Sequence, residues 1–325
     1  MNKKFASHAD TEEKNIHFTK LSDRAYAYTA EGDPNTGIII GDKEVLVIDT
    51  QATPIMAQDV IARVAGVTDK PIRHVLLTHY HAVRVLGASA YSPVSIIASQ
   101  PTFELICERG EQDYKSEVGR FPRLFRGVDS VPGLTWPTHV FSNAMKFFMG
   151  KTRVDISNPG RGHTKGDTIA WLEQERILFS GDLVEYGATP YSGDAYHRDW
   201  PSTLDKLLAL QPEMLVPGRG EAVIGKKKCI EAIEGTREFV QAMFSSVEAG
   251  KKKGKSLSEC YIDAYTTLAP KYKQWVIFEH CLPFDITRCF DEAGNEYPDP
   301  RIWTDSRDQD MWHSLQSALD TVNKT

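Results

Sequence analysis

Residues 76–87 read Leu-Leu-Thr-His-Tyr-His-Ala-Val-Arg-Val-Leu-Gly. The run from His74 to Leu77 has the continuous apolar character of a buried strand. His79 and His81 follow it directly, two residues apart. In an extended turn, side chains two apart point the same way, so two imidazole nitrogens can face one ion. A lone pair of this kind is a weak signal, and its weight depends on what surrounds it.

Upstream, Gly37–Asp49 reads as two β-rich runs around a Gly-Asp-Lys turn, a hairpin ending in an aspartate. A helix is expected from about Pro54 to Ala65, with proline at its first position where the missing N–H costs nothing. The strand at 74–77 follows. Downstream the pattern returns. Asp167–Asp182 is a second hairpin ending in an aspartate, Pro201 opens a helix through Leu210, and Met214–Val216 reads as the next strand. Two such halves, each a sheet with a covering helix, can pack sheet on sheet with helices outside. The stretch from about Pro101 to Trp136 reads as an insertion of helices and loops over the site.

Three more stretches lie at strand ends: Asn158-Pro-Gly-Arg-Gly-His163-Thr-Lys-Gly-Asp167-Thr168, Leu178-Phe-Ser-Gly-Asp182, and Leu215-Val-Pro-Gly-Arg219-Gly220. By the repeat they gather at one rim with His79 and His81, where binding sites usually form.

Together these stretches resemble the metallo-β-lactamase superfamily, whose pattern is Thr-His-x-His-x-Asp-His-x-x-Gly, Gly-His-Thr-x-Gly-Asp, Phe-x-Gly-Asp and Pro-Gly-His-Gly. The resemblance covers roughly the first two-thirds of the chain, in the family's order. It implies an α/β fold, the αββα metallo-β-lactamase sandwich, here over residues 1–225 with a mostly helical extension over 226–325. It also implies that His79, His81 and His163 hold a first metal and that Asp182 takes the bridging place. The ligands unique to a second metal fall on Val83, Arg84 and Arg219, none of which can serve. One metal per chain is therefore expected. The two guanidinium groups carry fixed charge and a fork geometry that suits a carboxylate, phosphate or sulfonate. They are expected either to bind an anionic part of the substrate or to pair with Asp182, Asp49 or another local acid. Asp49 is expected to orient a ligand histidine from behind, or only to cap its turn.

A metal on three imidazoles with an open position acidifies bound water, so the expected activity is hydrolysis of an ester, lactone, thioester or amide in a small substrate. Zn2+ is the expected ion, with Asp182 as fourth ligand or water-orienting base. One alternative is a mononuclear Fe2+ dioxygenase of the same fold using His79, His163 and Asp182. Another is a non-catalytic anion-binding member. His74, His139, His197 and His280 match no ligand position and are expected to be packed or partly buried polar residues. Trp136, Trp200 and Tyr191 flank the motif loops, with ordinary packing the default and a pocket wall the alternative.

The 325 residues carry a formal net charge of -6, which argues against nucleic-acid binding driven by bulk positive charge. The five cysteines are odd in number, widely spaced and without a Cys-x-x-Cys pair, as expected of a reducing cytoplasm. The N-terminal Met-Asn-Lys-Lys has no apolar run behind it, so no signal peptide is expected, and no stretch approaches the length of a membrane span. The Lys251–Lys255 run reads as a solvated loop. The aromatic-rich stretch from Trp275 to Asp291 is too apolar for free solvent and is expected to pack on the core or on a second copy of the chain.

Overall fold

A computed structural model describes residues 4–294 and 296–322. The first sheet runs in sequence order: β1 (His17–Lys20), β2 (Ala25–Ala30), β3 (Asp33–Ile40), β4 (Val45–Ile48), β5 (Ile72–Leu76), β6 (Ser95–Ser99) and β7 (His139–Phe141). β1–β4 pair antiparallel and β4–β7 parallel. The second sheet holds β8 (Ala144–Met149), β9 (Thr152–Ser157), β10 (Ile169–Leu172), β11 (Ile177–Gly181), β12 (Met214–Pro217) and β13 (Val223–Ile224), in the order β13-β12-β11-β10-β9-β8. Both hairpins stand as the sequence implies, and each is followed by a helix and a parallel strand.

Side-chain alternation makes the layers. In β3 and β4, Ile39, Leu46 and Ile48 point between the sheets and meet Phe179, Ile177 and Val216 of the second sheet. Ile38, Ile40, Val45 and Val47 point the other way, into a cluster with Ala57, Val60 and Val64 of α1 (Pro54–Ala65). Period-2 patterning with both faces apolar is what a strand buried on two sides requires. Thr53 caps α1 by accepting from Met56 N at 3.2 Å, and Pro54 takes the first turn. In the second half the helix α4 begins at Trp200, one residue before the proline, and ends at Ala209.

Between β5 and β6 lies the short helix α2 (Ala82–Val85), and after β6 the long helix α3 (Gln100–Arg120), which forms most of the expected insertion. The C-terminal region is α5 (Lys226–Lys252), α6 (Leu257–Tyr272), α7 (Phe278–Ala293) and α8 (Asp305–Val322). These helices share one core with the second sheet: Leu178, Leu215 and Trp200 cluster with Phe239, Leu268, Phe284 and Trp312. The apolar stretch at 275–291 thus packs largely as α7 within the chain itself. The lysine run differs from expectation at its start: Lys251 and Lys252 form the last turn of α5, where cations meet the helix's negative end, and Lys251 Nζ donates to Phe290 O at 2.8 Å. No described helix is long and apolar enough to cross a membrane.

Candidate metal centre

β5 ends at Leu76, and the turn that follows carries His79 and His81. Asp113 and Glu117 on α3 hold that turn, accepting from Ala82 N and Val83 N, both at 2.8 Å. His163 arrives on the loop between β9 and β10, and Asp182 directly follows β11. One donor nitrogen from each of His79, His81 and His163 lies within 4.8 Å of the others, and all three rings are buried.

The outer nitrogens decide what the inner ones present. The Thr78 hydroxyl donates to Asp49 Oδ2 at 2.8 Å, so its oxygen receives the Nδ1–H of His79 at 2.9 Å. His163 Nδ1 lies 2.7 Å from the carbonyl oxygen of Tyr191, which can only accept. His81 Nε2 lies 3.2 Å from Asp194 Oδ2. Each outer nitrogen therefore carries a proton, which makes His79 Nε2, His81 Nδ1 and His163 Nε2 the inward lone pairs. His81 Nδ1 and His163 Nε2 face each other at 3.0 Å, and His79 Nε2 is buried with no hydrogen-bond partner among the described residues. Three convergent imidazole nitrogens, each ring braced from outside, are a usual arrangement for holding a metal.

Burial pushes His163 down to about 3 and His79 well below its ordinary value, so both stay neutral. Burial also opposes charge on His81, yet the hydrogen bond to Asp194 and the charges of Asp113 and Glu117 push it up to about 9. A metal binding at His81 Nδ1 would have to displace that proton.

Asp182 lies at the edge of this group. Its Oδ2 is 3.8 Å from His79 Nε2 and 3.7 Å from His163 Nε2. Its Oδ1 forms a close ion pair with Arg84 Nη2. Burial alone would raise its pKa, but the guanidinium charges of Arg84 and Arg219 hold it well below the usual carboxylate range. Arg84 is fully buried and also donates to Asn35 O at 3.2 Å. The backbone at Gly218 passes so close to Asp182 Oδ1 and Arg84 Nη2 that a side chain there would collide with both. Arg219 donates to Gly32 O at 3.3 Å, and its guanidinium carbon lies 5.8 Å from the Phe121 ring centroid. Glu185 is buried beside the pair; burial first and Asp182 next raise its pKa, against the pull of Arg219 and Arg84. Val83 is a buried apolar side chain.

Asp49 reaches His79 only through Thr78, accepting Thr78 N at 2.9 Å with its other oxygen. It adopts a left-handed backbone, φ 60, which aspartate tolerates better than most side chains. His197 bonds Glu292 and Ser192, His280 bonds Ser7, and His74 bonds Ser95, all away from the cluster. Trp200 is buried with its ring 6.0 Å from that of His163, whereas Trp136 is 51% exposed. Sequence reasoning missed Asp194, Glu185, Arg109 and the acids of α3. The four-residue spacing of Asp113 and Glu117 was the one available sign that two of them share a helix face.

The model of the family described as the metallo-beta-lactamase superfamily matches residues 29–219. The chain belongs to this superfamily. A metallo-beta-lactamase type 2 from Bacillus cereus is 27% identical over 202 residues, covering 60% of this chain and 70% of that protein. A linear primary-alkylsulfatase from Pseudomonas sp. (strain ATCC 19151) is 21% identical over 251 residues, covering 66% of this chain but only 47% of the relative. Among solved structures, a metallo-beta-lactamase from Pontibacter korlensis superposes with a TM-score of 0.56 at 19% identity, over 70% of this chain and 99% of that one. The sec-alkylsulfatase Pisa1 from Pseudomonas sp. gives 0.70 at 16% identity, over 88% of this chain and 52% of that one. Residues 1–225 are too few to account for that coverage, so part of the helical extension shares its fold with Pisa1.

Proposed function

We propose that the protein is a hydrolase working with a single metal ion, zinc, held by His79, His81 and His163. The observation that carries this reading is the convergence of three imidazole nitrogens whose outer nitrogens are all hydrogen-bonded. An ion bound there acts as a Lewis acid, acidifying water and polarising the bond to be cleaved. Asp182 is the catalytic residue: Oδ2, turned toward His79 and His163, holds the attacking water or joins the ligand set, and Arg84 keeps the carboxylate ionised. Asp49 steadies His79 through Thr78. Val83, Arg84 and Arg219 leave no ligands for a second ion, and the two guanidinium groups favour a substrate with an anionic group. Arg84 offers its charge from behind Asp182, and Arg219 from beside Phe121. The likeness to alkylsulfatases puts alkyl sulfate esters in the test panel beside lactones, thioesters and β-lactams. The five free thiols, four of them buried, suit a reducing cytoplasm.

Elemental analysis of protein purified without added metal, followed by turnover on that panel, tests the proposal. About one zinc per chain, with hydrolysis of a panel member that disappears in His163→Ala, supports it. Two tightly held ions per chain overturn it. A second reading rests on Asp182 Oδ2 lying 3.8 and 3.7 Å from His79 and His163, the two histidines an Fe2+ dioxygenase would share with a carboxylate. Iron in the same analysis, with oxygen-dependent turnover, selects it.

A further inference from the structure

Two of the three outer acceptors that brace the histidines come from one stretch. Tyr191 O faces His163, and Asp194 faces His81. Residues 189–199, between β11 and α4, form no strand or helix. A buried segment of this kind must find partners for its main-chain N–H and C=O groups somewhere. Here many come from side chains of the C-terminal region. Ser192 N donates to Asp285 Oδ1 at 2.6 Å. Trp303 Nε1 donates to Gly193 O at 3.0 Å, and Arg288 Nε to Ala195 O at 2.8 Å. His197 N and Arg198 N donate to the two oxygens of Glu292 at 3.0 and 3.1 Å. Asp285, Arg288 and Glu292 are spaced by three and four residues on α7, so one buried helix face serves the whole stretch. From the opposite side Arg120 of α3 donates to the Tyr191 hydroxyl at 3.0 Å, and Arg109 lies 3.4 Å from Asp194.

We propose that α7 and Trp303 are positioning parts of the metal centre: by fixing residues 191–198 they set which nitrogens of His81 and His163 face the ion. The proposal rests on the metal reading above. None of these C-terminal side chains touches the reacting atoms. Their effect passes through the Tyr191 carbonyl and Asp194, and loosening that brace degrades metal affinity and ligand geometry rather than stability alone.

The test uses the full chain with three substitutions. Trp303→Phe keeps an aromatic ring against Phe284, whose centroid lies 5.0 Å away, while removing the indole N–H together with part of the ring. Asp285→Leu removes the acceptor for Ser192 N. Asp285→Asn keeps an acceptor oxygen for Ser192 N. The readouts are zinc affinity by competition with a chromogenic chelator, the visible bands of the Co2+-substituted protein, and the melting temperature of the metal-free protein. Trp303→Phe and Asp285→Leu should each weaken zinc by about 10-fold or more and shift the Co2+ bands, with Asp285→Asn restoring both. Unaltered zinc affinity and Co2+ bands in Trp303→Phe and Asp285→Leu, with only the melting temperature lowered, would overturn the proposal while leaving the metal reading intact. If Asp285→Leu does not fold, Trp303→Phe decides alone. Failure of the unaltered protein to bind either ion would overturn the metal reading, and this proposal with it.

Discussion

At one corner of the rim, His79, His81 and His163 turn three lone pairs toward a common point. At the neighbouring corner, Arg84 and Arg219 bring fixed positive charge to Asp182 and Glu185. The first corner presents imidazole nitrogens, and the second carries two guanidinium charges. Asp182 belongs to both, one oxygen toward the histidines and the other on Arg84. In the family pattern these corners would hold two ions. Here a covalently attached guanidinium pairs with Asp182, with a charge that does not titrate.

The most severe way to break the comparison is to remove a ligand. His163→Ala takes away one direct bond and should leave far less than one metal per chain and almost no turnover, exceeding the ~10–100-fold losses typical of residues behind the ligands. His79→Ala and His81→Ala should match it. Full metal content in His163→Ala, by elemental analysis, would mean that the histidine corner is not the metal corner.

Arg84→Met attacks the other corner. It leaves Asp182 buried without its closest partner, a loss of about 3–5 kcal/mol for a broken buried pair and a fall in melting temperature on the order of 10 °C. The pH dependence follows from the direction of the Asp182 shift. A carboxylate held below its unfolded value contributes stability that is fully present above the ordinary carboxylate range and is lost as pH falls toward the depressed pKa. The wild-type protein should therefore lose this contribution progressively as pH falls below about 4, and Arg84→Met should lack it at neutral pH as well. Thermal melts of both proteins between pH 3 and pH 8 read this directly; overlapping profiles would refute the pairing as a source of stability. The combined Val83→Asp, Arg84→His and Arg219→His change sharpens the same contrast, since it should convert the second corner to metal binding and raise the count toward two ions.

Arg219→Met separates charge for the substrate from charge for the fold. Its hydrogen bond to Gly32 O at 3.3 Å is a modest contact, so the melting temperature should fall by only a few degrees, from about 1 kcal/mol. Loss of a charge-assisted bond to an anionic substrate would instead lower kcat/KM roughly 10–150-fold at unchanged metal content. A kcat/KM on the anionic substrate unchanged from wild type, or lowered by the same factor on a neutral substrate, would remove Arg219 from substrate binding.

The two corners were not equally legible in the sequence. The hairpins, α1 and the parallel strands follow from local alternation and a proline at the right place, and His79, His81, His163 and Asp182 lie in short motifs directly after strands. Asp194 gave no such sign: it reaches His81 across 113 residues, from a Ser-Gly-Asp stretch without periodicity. The Tyr191 carbonyl is a backbone atom and has no residue-type signature at all. Whether Arg84 would face substrate or Asp182 depended on where Gly218 lets the backbone pass, a tertiary fact invisible to spacing. The role of α7 was hidden for the same reason, because its polar face serves a loop nearly a hundred residues away.

Asp49 connects the corners, and its replacement tests how. It feels Arg84 on one side and bonds Thr78 on the other. In the wild type the Thr78 hydroxyl points its proton at Asp49, so its oxygen accepts from His79 Nδ1 and leaves Nε2 free for the metal. Asparagine can still accept from Thr78 N, but its amide then donates toward the Thr78 hydroxyl. The hydroxyl proton must turn elsewhere, and the nearest acceptor is His79 Nδ1. That reversal favours the tautomer with the proton on Nε2, where the ion should sit. Asp49→Asn should therefore weaken zinc by on the order of 10–100-fold without removing a ligand. The fold should respond in the opposite sense. Burial pushes Asp49 up to about 7 in the folded protein, above the ~3.9 of an unfolded chain, so its ionisation opposes folding increasingly as pH rises between these values. Metal-free Asp49→Asn should escape that loss and gain stability relative to wild type from pH 4 to pH 7. Zinc competition and metal-free melts on the same two proteins measure both effects. Wild-type zinc affinity in Asp49→Asn would show that the Thr78 hydroxyl does not set the His79 tautomer, and that the two corners are independent.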